Sequence, residues 1–476
     1  MHLFDTGIRL YRIRLLALTW AFALLTSLNG NVLALQTDVL QLCSTLLVIL
    51  AILVGIVLLR SPRSLILLRA SALIFLVIAL IQLPALPNHR IVLALVALTI
   101  LSQGLVRRSS LTMGAGVLTS SSSERITTTL QCLTIIVYFF ASLAKLNEAY
   151  INPVTSCAAT FLKQALVLHG FSLDVAIAPN LLHGAIWWSI LSEVLICLLL
   201  LVPRTRMLGV AFGVAFHLAL ATDYVKYFAN FSAAMFILLI SWLPEHAAER
   251  IWVRGVSFWR VITPFAAVAM SVTLLCVGIN IIEPSTWIIL RYLFFMIFAS
   301  GLLINLVPLA IGDLIRGATP PIWSWKAPVW TILALAIING LCPYLGVKSR
   351  NSFAMYSNLR LDAVGANHLL APCSADIFGL LADRVEVISA SDAEFSRKIE
   401  APGRELPYIA LCTYLANMED TPRTPAVDTT VQYIRNGQRL IAKRGGQLPV
   451  DCPGWLARKL LFFGPIGEGS EKRCVW

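Results

Sequence analysis

Of the 476 residues, 58% are hydrophobic and 13% are charged, and the mean hydropathy is +0.80; the charged share is about half that of an average soluble domain, which argues against an ordinary water-soluble fold. The net charge of +12 does not point to a nucleic-acid partner. Residues 1–347 carry 21 Lys/Arg against 11 Asp/Glu and residues 348–476 carry 16 against 14, so +10 of the +12 lies in the apolar part, where loop charges set membrane orientation.

A bilayer core of roughly 30 Å calls for about 20 mostly apolar residues per helix, because each backbone N–H and C=O must be satisfied within the segment. Candidate spans start near Leu15, Val39, Leu65, Ile91, Thr127, His183, Met207, Tyr227, Val261, Thr286 and Ala327. The fourth and seventh are short, so the expectation is about 9–11 spans. Arg9, Arg12 and Arg14 precede the first run without a clear small-residue cleavage site, so that helix is expected to remain as an anchor. The serine run Ser120 to Ser123 reads as part of a flexible loop before the fifth span.

With the N-terminus in the cytoplasm, alternating loops put 16 Lys/Arg inside and only Arg90, Lys163 and Lys226 outside, as the positive-inside rule requires. An odd number of spans then places the C-terminal part outside. Trp187, Trp188, Trp242, Trp323, Trp325 and Trp330 sit near span ends, the place of interfacial anchors.

From about residue 347 the apolar runs give way to mixed sequence. A short helix within Arg404 to Asn417 and a hairpin turning on Asn436-Gly437 predict an α+β domain. The expected fold is therefore an all-α polytopic membrane helix bundle over 1–346 with a small extracytoplasmic α+β soluble domain over 347–476. The ten cysteines contain no Cys-x-x-Cys, and no metal site is expected. Those in or beside spans, Cys157 among them, read as small apolar residues. Cys373, Cys412, Cys452 and Cys474 either form two disulfides in an outside domain or stay free.

Charged groups at membrane depth are costly and need a partner or a purpose. Lys145 closes the fifth span in Tyr138-Phe-Phe-Ala-Ser-Leu-Ala-Lys145-Leu-Asn147. Snorkelling to the interface would account for it, while a lysine shielded from water there can act as a base. Glu193 and His217 fall near the midplane of their spans and could pair structurally across helices. Arg291 enters its span from the outside, as a snorkelling arginine would. Asn88 and His89 lie in an outer turn, on the same face as Lys145; Asp223 and Lys226 belong to that face too.

From Asn88 to about Pro244 these segments resemble the transmembrane core of the vitamin K-dependent γ-carboxylase family and its bacterial relatives, the horizontally transferred transmembrane domain proteins. The resemblance is carried by Asn88-His89 heading an apolar span, by Tyr138 to Asn147 with its aromatic start and Lys-Leu ending, and by Glu193 and His217 enclosing Pro203-Arg-Thr-Arg206. It implies Lys145 as the base toward a reduced, vitamin K-like quinone, His89 beside it, and a place in a bacterial cell membrane. The sequence departs from the animal enzymes in having Arg90-Ile91 after His89 and Ala144 before Lys145. Asn351-Ser-Phe-Ala-Met-Tyr-Ser-Asn358 and Asn367-His-Leu-Leu370 stand in place of a large β-rich lumenal part, which resembles the bacterial branch. A reading from another class remains: a bundle that binds or moves a lipid or solute without catalysis, its outer domain docking a protein partner.

Overall fold

The computed structural model describes residues 11–27, 39–84, 86–105, 120–171, 178–222, 228–255, 268–269, 272, 276, 284–316, 327–362, 365–391, 405–417, 430–443, 448–464 and 466. The chain is mostly helical and ends in a small antiparallel sheet. The helices are α1 (Tyr11–Ser27), α2 (Val39–Arg60), α3 (Leu65–Ile81), α4 (Asn88–Leu105), α5 (Ser120–Ala144), α6 (Glu148–Ile151), α7 (Cys157–Leu168), α8 (Ala178–Leu201), α9 (Arg206–Leu220), α10 (Phe228–Ile240), α11 (245–255), α12 (Pro284–Arg316) and α13 (Trp330–Leu341). Most of the span expected from Val261, and the loop pair Asp223 and Lys226, lie outside the described residues, as do Trp323, Trp325 and Cys474.

Two compact units divide the chain: residues 1–81, 87–139 and 191–337 form one, and residues 82–86, 140–190 and 338–476 the other. In the first unit α1 and α10 are buried on nearly every side and pack against each other. The first N–H groups of α1 have no partner within their helix; those of Tyr11 and Arg12 donate to the Glu245 carboxylate of α11 at 2.8 and 3.2 Å. Its last residue, Ser27, gives its carbonyl to the buried Arg90 guanidinium at 2.7 Å, a cation at the negative end of the helix dipole.

The outer helices of this unit behave differently. Along α12, Ile289, Leu293, Ile297, Ile304, Ile311 and Ile315 are exposed, spaced as a stripe on a helix face. Parts of α2, α3 and α8 also carry exposed Leu, Ile and Val. Among the described residues, three helical stretches are long and apolar enough to cross a membrane: Ser122–Ala144, Asn180–Leu201 and Ile288–Arg316. The other apolar helices there are shorter, at 10–17 residues.

Three local expectations are corrected. The serine run opens α5 instead of forming a loop; Thr127, Thr128 and Thr129 bond back to the carbonyls of Ser123, Glu124 and Arg125 at 2.8–3.0 Å, so hydroxyls that often break a helix are satisfied within it. Trp242 is buried, donating from its indole to Thr134 at 3.1 Å with Arg206 stacked 5.7 Å over its ring. Trp187, Trp188 and Trp330 are exposed. Cys157 is disulfide-bonded and not the free thiol expected of it.

Close helix contact in the first unit depends on Gly209 and Gly213, four apart on α9, the small-residue spacing that lets helices approach. A Cβ on Gly209 would meet the Leu200 main-chain nitrogen at 3.0 Å, whereas one on Gly213 would meet only the flexible Leu239 side chain, at 2.8 Å.

The C-terminal sheet has strands β1 (Arg384–Ala390), β2 (Glu405–Pro407), β3 (Thr430–Arg435) and β4 (Gln438–Lys443) in the order β2-β1-β3-β4, antiparallel throughout. Arg435 pairs with Gln438 across Asn436-Gly437, and both turn residues have positive φ, 52° and 76°, as a two-residue type I′ hairpin needs. Helix α14 (Tyr408–Asn417) covers the sheet, with Leu411, Cys412 and Leu415 against Val385, Val431 and Tyr433. Arg435 is clamped by Asp383 and Asp451 and lies 3.5 Å over the Tyr408 ring. Hydrogen bonds from Tyr408 and Arg435 hold the Asp451 carboxyl below the usual carboxylate range. Of the four C-terminal cysteines, Cys412 and Cys452 are joined, with Cα atoms 5.8 Å apart, and Cys373 is free and exposed.

Gly209→Val is expected to destabilise the helical unit by about 1–3 kcal/mol through overpacking against an immovable backbone. Gly213→Ala stays near neutral, since the gain in helix propensity offsets a small shift of Leu239. Thermal unfolding of the detergent-solubilised variants checks this; equal losses would show that the two contacts do not differ.

Candidate functional site

The end of α5 is a problem of unsatisfied carbonyls, because the last turn of any helix leaves four of them without intrahelical partners. Here each is answered. Lys145 N–H donates to Ser142 O at 3.1 Å, Leu146 N–H to Leu143 O at 3.1 Å and Asn147 N–H to Lys145 O at 2.9 Å. The Asn147 carboxamide donates to Ala144 O at 2.8 Å and to Ser357 O at 2.6 Å, and its oxygen accepts from Tyr150 N–H at 2.8 Å, capping α6.

The two segments that resembled the bacterial branch close over this turn. Asn147 and His368 form a β-bridge, with Leu369 N–H donating to Leu146 O at 2.9 Å and Glu148 N–H to Asn367 O at 3.0 Å. His368 accepts at Nδ1 from the N–H groups of Leu370 and Ala371 at 3.1 and 3.0 Å, which leaves Nε2–H to donate to Leu143 O at 2.9 Å and so specifies the tautomer. Asn358 accepts from Cys157 N–H at 3.0 Å at the start of α7 and donates to Thr155 O at 3.0 Å. Asn351, Phe353, Tyr356 and Asn358 all have φ between 51° and 61°. That region is tolerable for asparagine and strained for the two aromatics. Phe353 is fully buried and Tyr356 packs edge-on to Phe161, centroids 5.2 Å apart.

Within this clasp Lys145 is only 5% exposed. Its amine lies 6.0 Å over the Tyr150 ring, a cation–π distance, and the Tyr150 hydroxyl meets Ser189 Oγ at 2.7 Å. In the same unit, Lys348 donates to Asn339 Oδ1 at 2.6 Å, and burial pushes its amine down from near 10.5 to about 8.

The other expected site residues belong to the first unit, while Lys145 belongs to the second. Asn88 and His89 form the first turn of α4 and not an open loop. Arg90 and Arg291, both buried, lie within electrostatic reach of His89. The buried His217 meets the Tyr138 hydroxyl through Nε2 at 2.8 Å, and its carbonyl accepts from Ser232 Oγ at 3.1 Å. Glu193, also buried, is within electrostatic reach of the same Tyr138. His217 and Glu193 thus both act on Tyr138, a residue that the sequence marks only as an aromatic.

No group of three or more His, Cys, Asp or Glu able to hold a metal occurs among the described residues. No family model, curated protein or solved structure matches the chain.

Asn147→Ala and His368→Ala each strand buried carbonyls or N–H groups and are expected to cost about 1–3 kcal/mol. Asn152→Ala, which loses one exposed bond to Val154 N–H, changes stability by less than about 0.5 kcal/mol. Melting temperatures read the contrast, and an equal effect at Asn152 would refute the clasp's importance.

Lys348 gives a pH prediction with a definite sign. Its folded-state affinity for a proton is lowered, so between about pH 8 and 10.5 the unfolded chain holds a proton that the folded chain has lost, and stability rises with pH through that window. Wild type should therefore gain relative to Lys348→Met between pH 7.5 and pH 10. A pH-independent difference in melting temperature would contradict it.

Proposed function

We propose that the chain is an integral membrane protein, its helical part crossing the bilayer about 9–11 times and its C-terminal α+β part on the extracytoplasmic side, with Lys145 as a base toward an apolar quinol. The membrane part of the reading is supported by the exposed apolar stripe on α12 and by three helices of spanning length. Apolar surface of this kind marks a face that meets a membrane or another protein, and the spanning length of the helices favours the membrane. The sidedness is supported by the make-up of the second unit: residues 82–86 and 140–190, both outer by the alternation of charges, cluster with 338–476.

The observation that carries the catalytic reading is the buried Lys145 amine at the end of an apolar helix, held in a turn whose carbonyls are already satisfied. In its neutral form the amine can accept a proton from a quinol hydroxyl. Strained Phe353 and Tyr356 in the covering segment fit a site whose geometry is over-determined for a task. The resemblance of residues 88–244 to the γ-carboxylase core supplies the substrate class, a vitamin K-like quinol.

A second reading, binding or passage of a lipid or solute, is favoured by the buried Tyr138–His217 pair with Glu193 in reach. Ionisable groups within an apolar bundle are also what transport proteins use.

The test is purified protein in nanodiscs supplied with a reduced naphthoquinone and oxygen. Wild type is expected to bind and consume the quinol. Lys145→Met is expected to bind it equally and consume it about 100-fold more slowly. Equal consumption by both removes Lys145 as base; binding without consumption by either favours the second reading.

A further inference from the structure

The second unit carries exposed apolar residues at three places that its hydrogen bonds bring to the ends of apolar helices. Leu369 and Leu370 are exposed, and Leu369 N–H is bonded to Leu146 O, two residues past the end of α5. Ile377 and Phe378 are exposed, and Ile377 N–H is bonded at 3.2 Å to Leu345 O, four residues past the end of α13. Trp455 and Leu456 are exposed at the start of α15 (Trp455–Leu460), and the Lys459 amine of that helix reaches Leu83 O at 3.2 Å, two residues past the end of α3.

None of these residues is needed for the core of the C-terminal domain, which Val385, Leu411, Cys412 and Val431 build on the other elements. Leu370, Phe378 and Trp455 are 70%, 68% and 66% exposed, a cost in water for three separate elements at once. Their common property is their level: each is tied to main chain just beyond the end of an apolar helix. In a bilayer that level is where hydrocarbon gives way to headgroups, the depth at which tryptophan and other large apolar side chains gather.

We propose that these three apolar pairs form a membrane-seating surface, by which the C-terminal domain rests in the headgroup region of the bilayer that its own helices cross. The proposal rests on the membrane reading above, and adds that the domain is embedded at its base instead of standing in water on a stalk. Seating in lipid explains why Trp455 and Leu456 stand exposed together at the start of a short helix.

The experiment places the photoreactive amino acid benzoylphenylalanine, one position at a time, in the full chain in phosphatidylglycerol–phosphatidylethanolamine nanodiscs. The probed positions are Leu370, Phe378 and Trp455; Ile304 on the exposed stripe of α12 and Ile441 on the exposed strand β4 serve as references. After irradiation, lipid adducts are counted by mass spectrometry. The expected result is a yield at the three probed positions comparable with Ile304 and roughly tenfold or more above Ile441. Lipid adducts at Ile304 with none at the three positions overturn the seating surface and leave the membrane reading standing. An absence of adducts at Ile304 as well overturns both. Cross-links from the three positions to protein, whether to a second copy or to another chain, overturn the proposal in favour of a protein interface.

Discussion

A backbone carbonyl at the end of a helix must find a donor, and in apolar surroundings water cannot be that donor. The end of α5 shows how much structure follows from that requirement. Asn147 serves two carbonyls with one carboxamide, and His368 serves a third. The segment from Asn351 to Ala371 meets this turn through the Ser357 carbonyl and the His368 ring, and it carries left-handed backbone at four non-glycine residues. At the same turn Lys145 is buried with its amine over the Tyr150 ring, and Asn358 of the segment docks onto the start of α7.

Much of the helical architecture was legible in the sequence because it depends on local composition. Apolar runs became α2, α3, α8 and α12 with starts within a few residues of those expected, and Asn436-Gly437 turned its hairpin because few other pairs accept two positive φ values. Failures arose where residue type has two uses. The serine run Ser120 to Ser123 read as a loop, yet it opens α5, and the threonine hydroxyls that follow bond back to its carbonyls and those of the next residues. Trp242 read as an interfacial anchor because position along a span was the only information, whereas its indole serves Thr134 inside the unit. Helices α7 and α11 are too short or too mixed to give the signal of a span.

The candidate site was legible in part. Lys145, Asn147 and the Asn367-His-Leu-Leu370 segment could each be noticed, since polar groups beside apolar runs stand out. That Asn147 meets Ser357, 210 residues away, could not be read: one sequence carries no record of which distant residues touch. The same holds for Tyr138, which as an aromatic in an apolar helix looks like core until His217 is seen 2.8 Å from its hydroxyl.

The distance along the chain between Asn147 and its clasp also has a bearing on time. A ribosome adding about 5–20 residues per second needs roughly 10–40 seconds to pass from Asn147 to Ser357. Throughout that interval the Ala144 carbonyl can have its local bond from Asn147, but the outer half of the clasp does not yet exist. The end of α5 is therefore among the last parts of the protein to settle, although its helix is among the earlier ones to be made. Whatever the lysine does, it can do only in a finished chain.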